Sequence, residues 1–519
     1  MAAHVTFPLL IGICNGTSKT STRLDACASA CQSDEIILFA NKDGSDIPHT
    51  NVPRKIIFSY TFASLTFQSM AETMKRFFFV IRMTLAVLSI HSSMIPVAFS
   101  QSVSVSTYDI PTLGNPTSAI ATRNGHYVFV SVTNVGAPNY SGPDSSAGSR
   151  KDVISGIQVF SRNRSSHSRV DTLRSIGFIR TGSAGANGLV LLRGEKTLAT
   201  GVGDEGVAFL NVHDSIRGIA KPFYASQGEG AGTFDVVASP DGKYVFSANE
   251  YGMVQGQRGS VGIISVDTDR RGNVTHPHTI RQIPVGDVVP SLTISPDGSR
   301  IYVATELVPS QQLRLIAGAD NPELVRHDCV QKAGTVARAN GFITIIDTLR
   351  SIDPAGNAIL SQVAAGCSPV RLTENADSSE LYVSARGSNE ILCFSPRLLE
   401  SDPEHALLRL LPSAGIAPVG IRLFNKDRML AVANSNRFAE ANETVAIFDL
   451  SETKGSTRTT NPLSPIQSWS AGLFPRNIAV SASGRVLYLA NYTSRTLQII
   501  RTSPSLLEKR SIAPSVPQH

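Results

Sequence analysis

Glu250, Arg386, Arg437 and Arg476 carry the most legible chemistry in this chain. A carboxylate can give or take a proton, and guanidinium groups hold a carboxylate or phosphate through paired hydrogen bonds. Glu250 stands in ANEYG, Arg386 in SARGSNE, Asn434 and Arg437 in ANSNRF, and Arg476 at the start of PRNIAV, each at the margin of a strand-like run. Glu250 is therefore read as a general acid/base, with Arg386, Asn434, Arg437 and Arg476 holding a small anionic ligand. His327 is a second candidate base. It lies in the longest insertion, Glu306 to Asn340, with Glu323, Arg326 and Asp328, and long loops are often lids or binding loops. Asp204, Glu205, Arg258, Glu306 and Arg495 fall on the same expected face. Charges around a channel can also simply solvate it or pair across it, so that reading stays open beside the functional one. No nucleophile motif accompanies these residues. His276-Pro-His278 is too lone a pair for a metal site, and no metal or cofactor is expected. The Gly-rich stretches 182–188 and 226–232 lack the strand-to-helix setting of a phosphate loop.

What must position these side chains is a repeat. The stretch TFDVVASPDGKYVFSAN from Thr233 recurs as PSLTISPDGSRIYVAT from Pro290 and PRNIAVSASGRVLYLAN from Pro475, and in weaker copies from Pro116, Asn187, Pro369 and Pro418. Apolar residues alternate with a period of two, as in strands, around an SPDG-type turn whose Asp-Gly supplies the positive φ of a tight hairpin. Each copy is followed by a third apolar run (SGIQVF, SVGIISV, TVAIFDL) and then by a fourth strand leading to the next copy, as in RQIPVG and IQSWSAG. Copies start 46 to 79 residues apart. Units that cannot bury their own apolar faces must stack, and four-stranded units of this kind form radial blades. The last copy supplies three strands, ending at RTLQII, and its missing fourth is SVSVSTYDIPTLG at Ser102–Gly114. The expectation is an all-β, seven-bladed β-propeller of four-stranded antiparallel blades, closed by its N-terminal strand. One face collects the loops between second and third strands and is the expected binding face. The SPDG turns lie on the other, with His126, His167, His213, His276, His278 and His405.

The formal charge of +6 is mild, and no basic run is interleaved with aromatics, so nucleic acid is not an expected partner. From Met74 the chain reads MKRFFFVIRMTLAVLSIHSSMIPVAFSQ, with a basic start, an apolar stretch and an Ala98-Phe99-Ser100 cleavage signature. This is the pattern of a secretory signal peptide over 74–100. Residues 1–73 then read as a non-native or disordered upstream extension, residues 101–502 as the propeller and 503–519 as a disordered tail. The alternative, an uncleaved anchor, is opposed by Arg82 and His91, which interrupt the apolar run, and no stable membrane span is expected. Sequons at Asn139, Asn163, Asn273, Asn442 and Asn491 agree with secretion to the extracellular space and with glycosylation. Of six cysteines, Cys329 and Cys367 lie in loops on one face of adjacent blades and are expected to form a disulfide, whereas Cys393, in ILCF, reads as a buried apolar residue. A monomer is expected.

The core PxxIxxSPDGxxxYVAN resembles the YVTN-repeat, lactonase-like propeller family, over Gln101 to about Thr502. The resemblance implies the fold. The family includes phosphogluconolactonases and carboxymuconate-lactonizing enzymes, and the pairing with a signal peptide resembles its secreted fungal members. A single Trp argues against WD-type and tryptophan-docked blades. Two functions remain: a binding propeller for a small anion or an extracellular protein or wall component, and a lactone hydrolase or lactonizing enzyme acting on a carboxylated substrate. Binding ranks first, because the repeat builds the scaffold without specifying a reaction.

Overall fold

The computed structural model describes residues 106–136, 154–163, 172–182, 185–228, 230–250, 259–308, 313–326, 329, 339–436, 443–452 and 463–502. His327, Arg437, Arg258, His167, Asn139 and Asn442 lie outside them, as do 1–105 and the tail from 503. The chain opens with β1 (Ser106–Pro111). Blade one follows as β2 (Asn115–Ala121), β3 (Tyr127–Val135), β4 (Ile154–Asn163) and β5 (Thr172–Gly182). Blade two is β6 (Leu189–Leu191), β7 (Thr197–Gly201), β8 (Val207–Asn211) and β9 (Phe223–Ala225). Blade three is β10 (Thr233–Ala238), β11 (Tyr244–Asn249), β12 (Gly259–Thr268) and β13 (Val274–Gly286). Blade four is β14 (Ser291–Ile294), β15 (Arg300–Thr305), β16 (Asn340–Asp347) and β17 (Ile359–Cys367). Blade five is β18 (Pro369–Glu374), β19 (Leu381–Ala385), β20 (Glu390–Phe394) and β21 (Leu407–Pro412). Blade six is β22 (Pro418–Phe424), β23 (Met429–Asn434), β24 (Thr444–Asp449) and β25 (Gln467–Ser470). Blade seven is β26 (Pro475–Val480), β27 (Val486–Asn491) and β28 (Thr496–Arg501), completed by β1, which pairs antiparallel with β28 from Ser106↔Arg501 to Pro111↔Thr496. The ring is therefore a seven-bladed β-propeller, closed by its N-terminal strand as the sequence predicts.

The reason for stacking is visible in the cores. Each apolar cluster straddles two blades: Phe129 and Ile157 of blade one pack with Leu198 and Leu210 of blade two, and Met429 and Ile447 of blade six with Leu487 and Ile500 of blade seven. The join is built the same way, with Val128 and Val130 of blade one against Tyr488, Leu497 and Ile499 of blade seven.

The SPDG turns work differently from the expected hairpin. Gly242 alone takes positive φ (77°), while Asp241 serves as an acceptor for Ser239 Oγ (2.6 Å) and Lys243 N (3.1 Å). Ser239 Oγ also accepts from Tyr244 N (3.0 Å), so the side chains fill a wider turn. Short helices α1 (Val212–Ile216), α2 (Thr348–Ile352) and α3 (Pro396–Ser401) follow third strands on this same far face. Their caps are Asn211, Asp347 and Ser395, each accepting from a backbone N–H of the first turn.

The described part of the Glu306–Asn340 insertion seals the outer edge of blade four, while His327, the candidate base it carries, lies outside the described residues. Ala317 bridges to Val363 of β17 in parallel, Ala317 N donates to Gln362 O (3.1 Å), and Gly366 N donates to Leu324 O (2.9 Å). Ile316 and Leu324 are buried in the core shared by blades four and five. Covering an outer strand removes an open hydrogen-bonding edge and gives these apolar side chains a place to go. Cys329 and Cys367 form a disulfide, with Cα atoms 5.5 Å apart, that fastens the insertion to the end of β17. Cys393 is a buried free thiol whose pKa burial pushes up to about 12.

Candidate functional site

The first strands of the blades line the axis, and five share an irregularity. In β2, β10, β18, β22 and β26 the register skips one residue: Thr117, Phe234, Val370, Val419 and Arg476 are the unpaired extras. Bulges re-aim side chains, and here four of the five extras line one axial pocket: Phe234, Val370, Val419 and Arg476. The remaining wall comes from Glu250, Glu306 and Arg386, each directly following a second strand, and from Pro290, Arg371 and Phe474. The pocket encloses about 50 Å³. This is room for several waters, or for one carboxylate or phosphate group, with the pocket open to the axial space.

Its charges fall into two kinds. Arg386 Nη2 meets Glu306 Oε2 at 2.6 Å, and both side chains are almost inaccessible, so that part of the wall is a closed ion pair. Arg371 is held by backbone: Nη1 donates to Val370 O (2.8 Å) and Pro290 O (3.1 Å), with its guanidinium 5.6 Å from the Phe234 ring. Arg476 lies against three aromatic rings, Tyr492 at 4.9 Å, Phe234 at 5.0 Å and Phe474 at 5.5 Å. It makes no hydrogen bond or ion pair among the described residues. Burial lowers the pKa of both Arg371 and Arg476, and raises that of Asp235, whose Oδ2 accepts from Ser291 Oγ (2.7 Å). These groups are enclosed by the ring on all sides yet keep part of their surface open to the axial space, so they are crowded without being dry. Glu250 acts electrostatically on both Arg371 and Arg476. Gly188 makes room for Asp235: a Cβ there would stand 2.0 Å from Asp235 Oδ1.

Of the six candidates read from the sequence, four are described, and three of those, Glu250, Arg386 and Arg476, meet in one pocket. Asn434 does not join them. It is fully buried at the end of β23, where Nδ2 donates to Ser413 O (3.0 Å), in the segment leaving blade five, and to Thr444 Oγ1 (3.2 Å) of β24, tying the second strand to the third strand of its own blade and to the entry from the preceding one. Asn249 does the same in blade three, so the Asn of YVAN belongs to the scaffold. Arg371, Asp235, Phe234, Phe474 and Tyr492 were not anticipated. Strict alternation hides a bulge, although a guanidinium inside the innermost strand PVRLTE was a readable sign.

The sequons divide similarly. Asn163 is exposed at the end of β4. The amide of Asn273 is engaged by Asp269 (3.0 Å) and Asn211 (2.9 Å). Asn491 is fully buried, with Nδ2 donating to Thr496 Oγ1 (3.3 Å), and the folded blade leaves no room for a glycan there. Among the described residues no His, Cys, Asp and Glu group has the arrangement of a metal site, and no helix is long and apolar enough to cross a membrane.

No family model matches the chain, and no curated protein matches it. Among solved structures it is similar to hydrazine synthase of Kuenenia stuttgartiensis, at 13% identity over 78% of this chain and 99% of that one, with a TM-score of 0.49. A chain of the mitotic checkpoint complex matches at 11% identity over 79% and 97%, with a TM-score of 0.49. A putative 6-phosphogluconolactonase of Bacteroides fragilis matches at 13% identity over 69% and 89%, with a TM-score of 0.47. At such distances the likenesses assign no activity to this chain.

Proposed function

We propose that this propeller binds a small anion in its axial pocket, with Arg476 and Arg371 meeting one carboxylate or phosphate group of the ligand. The observation that carries this reading is Arg476. It is caged by Phe234, Phe474 and Tyr492 and has no protein partner for its N–H groups among the described residues. A guanidinium in that position gains from an anion about 1.5–3 kcal/mol per charge-assisted hydrogen bond. The narrow pocket fits an anionic headgroup, with the rest of the ligand lying toward the loop face. We further propose that the protein works outside the cell after loss of residues 74–100. The Cys329–Cys367 disulfide supports an oxidising compartment.

A second reading, lactone hydrolysis or lactonization of a carboxylated substrate, draws on Glu250, which lines the same pocket as the two arginines. The test is thermal shift and calorimetry with phosphate, sulfate, mono- and dicarboxylates and the corresponding sugar acids and lactones. Binding predicts stabilisation by one anion class, lost in R371Q/R476Q and retained in E250Q. Hydrolysis predicts turnover of a lactone that E250Q abolishes. If no anion at about 100 times a millimolar Kd shifts the melting temperature, the binding reading falls, since occupancy at that ratio stabilises by about 2.7 kcal/mol.

A further inference from the structure

We infer that the axial channel holds a second anion site, nearer the SPDG-type turns, built on Arg422 and suited to a small oxyanion such as phosphate, sulfate or a carboxylate. Arg422 lies on β22, the innermost strand of blade six, paired with Ala431 of β23. It is the one exposed residue on the seven innermost strands. Every other residue of β2, β6, β10, β14, β18, β22 and β26 is buried or half-buried. An innermost strand is flanked by neighbouring blades and turns its free edge to the axis. An exposed side chain in the middle of such a strand has only the axial channel to enter.

The ring does not answer this charge. At the same register the other six blades place Ile120, Val190, Val237, Thr293, Thr373 and Ala479, none of them ionisable. Three arginines stand on innermost strands, and the other two have company. Arg371 donates to two backbone carbonyls, and Arg476 lies against three aromatic rings. Arg422 makes no hydrogen bond, ion pair or ring contact among the described residues. Burial within the ring lowers its pKa, and the carboxylate that opposes this is Asp427, in the β22–β23 turn. Asp427 Oδ2 is already engaged as the acceptor of Ala376 N (2.7 Å), in the corresponding turn of blade five. Glu374, the residue after Thr373, acts on Tyr302 of blade four instead. A guanidinium held this way presents its planar fork to the channel, where one carboxylate, sulfate or phosphate can take two hydrogen bonds at once. The site is separate from the pocket. Arg422 is three residues beyond Val419 on β22, about 10 Å further along the strand at roughly 3.3 Å per residue. The two sites use different arginines and stand or fall separately.

The test is equilibrium dialysis of the purified chain against radiolabelled sulfate, phosphate and acetate, with ionic strength held constant by chloride. Arg422 meets only the anionic group, so R371Q/R476Q is expected to remove the pocket's selective binding and to leave an unselective oxyanion site. That site is expected to weaken at least about tenfold in R422Q and to be kept in part by R422K, which retains the charge without the fork. D427N can still accept from Ala376 N and removes the competing carboxylate, so it is expected to tighten the site. Crystals soaked in selenate are expected to show an anomalous peak beside the Arg422 guanidinium, absent from R422Q. Oxyanion binding that is the same in R422Q as in wild type overturns the proposal, as does R371Q/R476Q binding none of the three anions. A selenate peak at Arg422 without any effect of R422Q on affinity marks an adventitious ion only and overturns it too. So does binding that appears in D427N and not in wild type, because Asp427 would then be the resident partner of Arg422.

Discussion

Arg409 and Arg476 sit two blades apart in one ring and keep opposite company. Arg409, on β21, donates Nη2 to Glu380 Oε1 (2.6 Å) and Tyr382 Oη (2.8 Å), while Tyr382 itself donates to Glu380 Oε2 (2.5 Å). All three are buried within blade five, and the charge is answered where it stands. Arg476, on the innermost strand of blade seven, is half-buried and meets aromatic faces and the axial space. The first arrangement is complete without a ligand and the second is not. In a fold made of one repeated unit, buried charge alone therefore does not mark a site. What marks it is a cation brought to the axis by a bulge and left without a carboxylate.

The contrast can be broken most forcefully from the Arg409 side. Glu380→Ala leaves a buried guanidinium with only a phenol to answer it, and loss of one partner of a buried pair costs about 3–5 kcal/mol. For a domain of this size a melting temperature lower by roughly 4–6 °C is expected, read by calorimetry. Replacing the pair together, as E380L/R409M, should recover most of that loss. If the double variant is as unstable as the single one, the pair contributes net stability of its own. Arg476→Met should behave in the reverse way. Removing an enclosed cation relieves its desolvation, so the melting temperature stays within about 2 °C of wild type or rises. Affinity for the anion identified by calorimetry falls at least about tenfold, or 1.4 kcal/mol. A large loss of stability instead would make Arg476 a strut holding Phe234, Phe474 and Tyr492 together, and the two arginines would no longer differ in kind.

Most of the scaffold was legible because it repeats. Period-two apolar runs around Ser239 and Ser295 give the blades, and the odd strand at β1 gives the closure, since a ring leaves one blade to be shared between the two ends of the chain. The site was legible only in part. Glu250, Arg386 and Arg476 stand at strand margins, where topology assigns a face. Asn434 stands at the same kind of margin, yet its side chain turns into the blade to serve Ser413 and Thr444. A margin fixes the face of the ring and leaves the direction of the side chain to local hydrogen bonding. Arg371 was hidden by the bulge at Val370, which resets the alternation by one residue. The insertion was legible in part: Ile316 and Leu324 announce a buried segment, but which strand buries them depends on the open edge of β17, a property of the assembled blade.

The smallest test concerns Glu374, at the opposite end of the strand that carries Arg371. Burial pushes its carboxyl up to about 7, with the Ser378 hydroxyl opposing the shift and Asp297 adding to it. It is the counterpart of Arg476 with the sign reversed, a crowded anion in place of a crowded cation. The folded chain holds this proton more tightly than the unfolded chain, whose ordinary value is 4.5. The stabilising contribution of the protonated form is therefore complete below pH 4.5, declines as pH rises and is lost above about 7. Because the side chain is partly exposed, the effect is discounted to about 1 kcal/mol. Glu374→Gln should leave stability unchanged at pH 4.5 and raise it by about 1 kcal/mol at pH 8, read from urea midpoints at both values. A variant that is less stable at pH 8 would mean that the carboxylate is answered by a cation after all. Glu374 would then belong with Glu380, and Arg476 would stand apart from both as a crowded charge with no partner among the described residues.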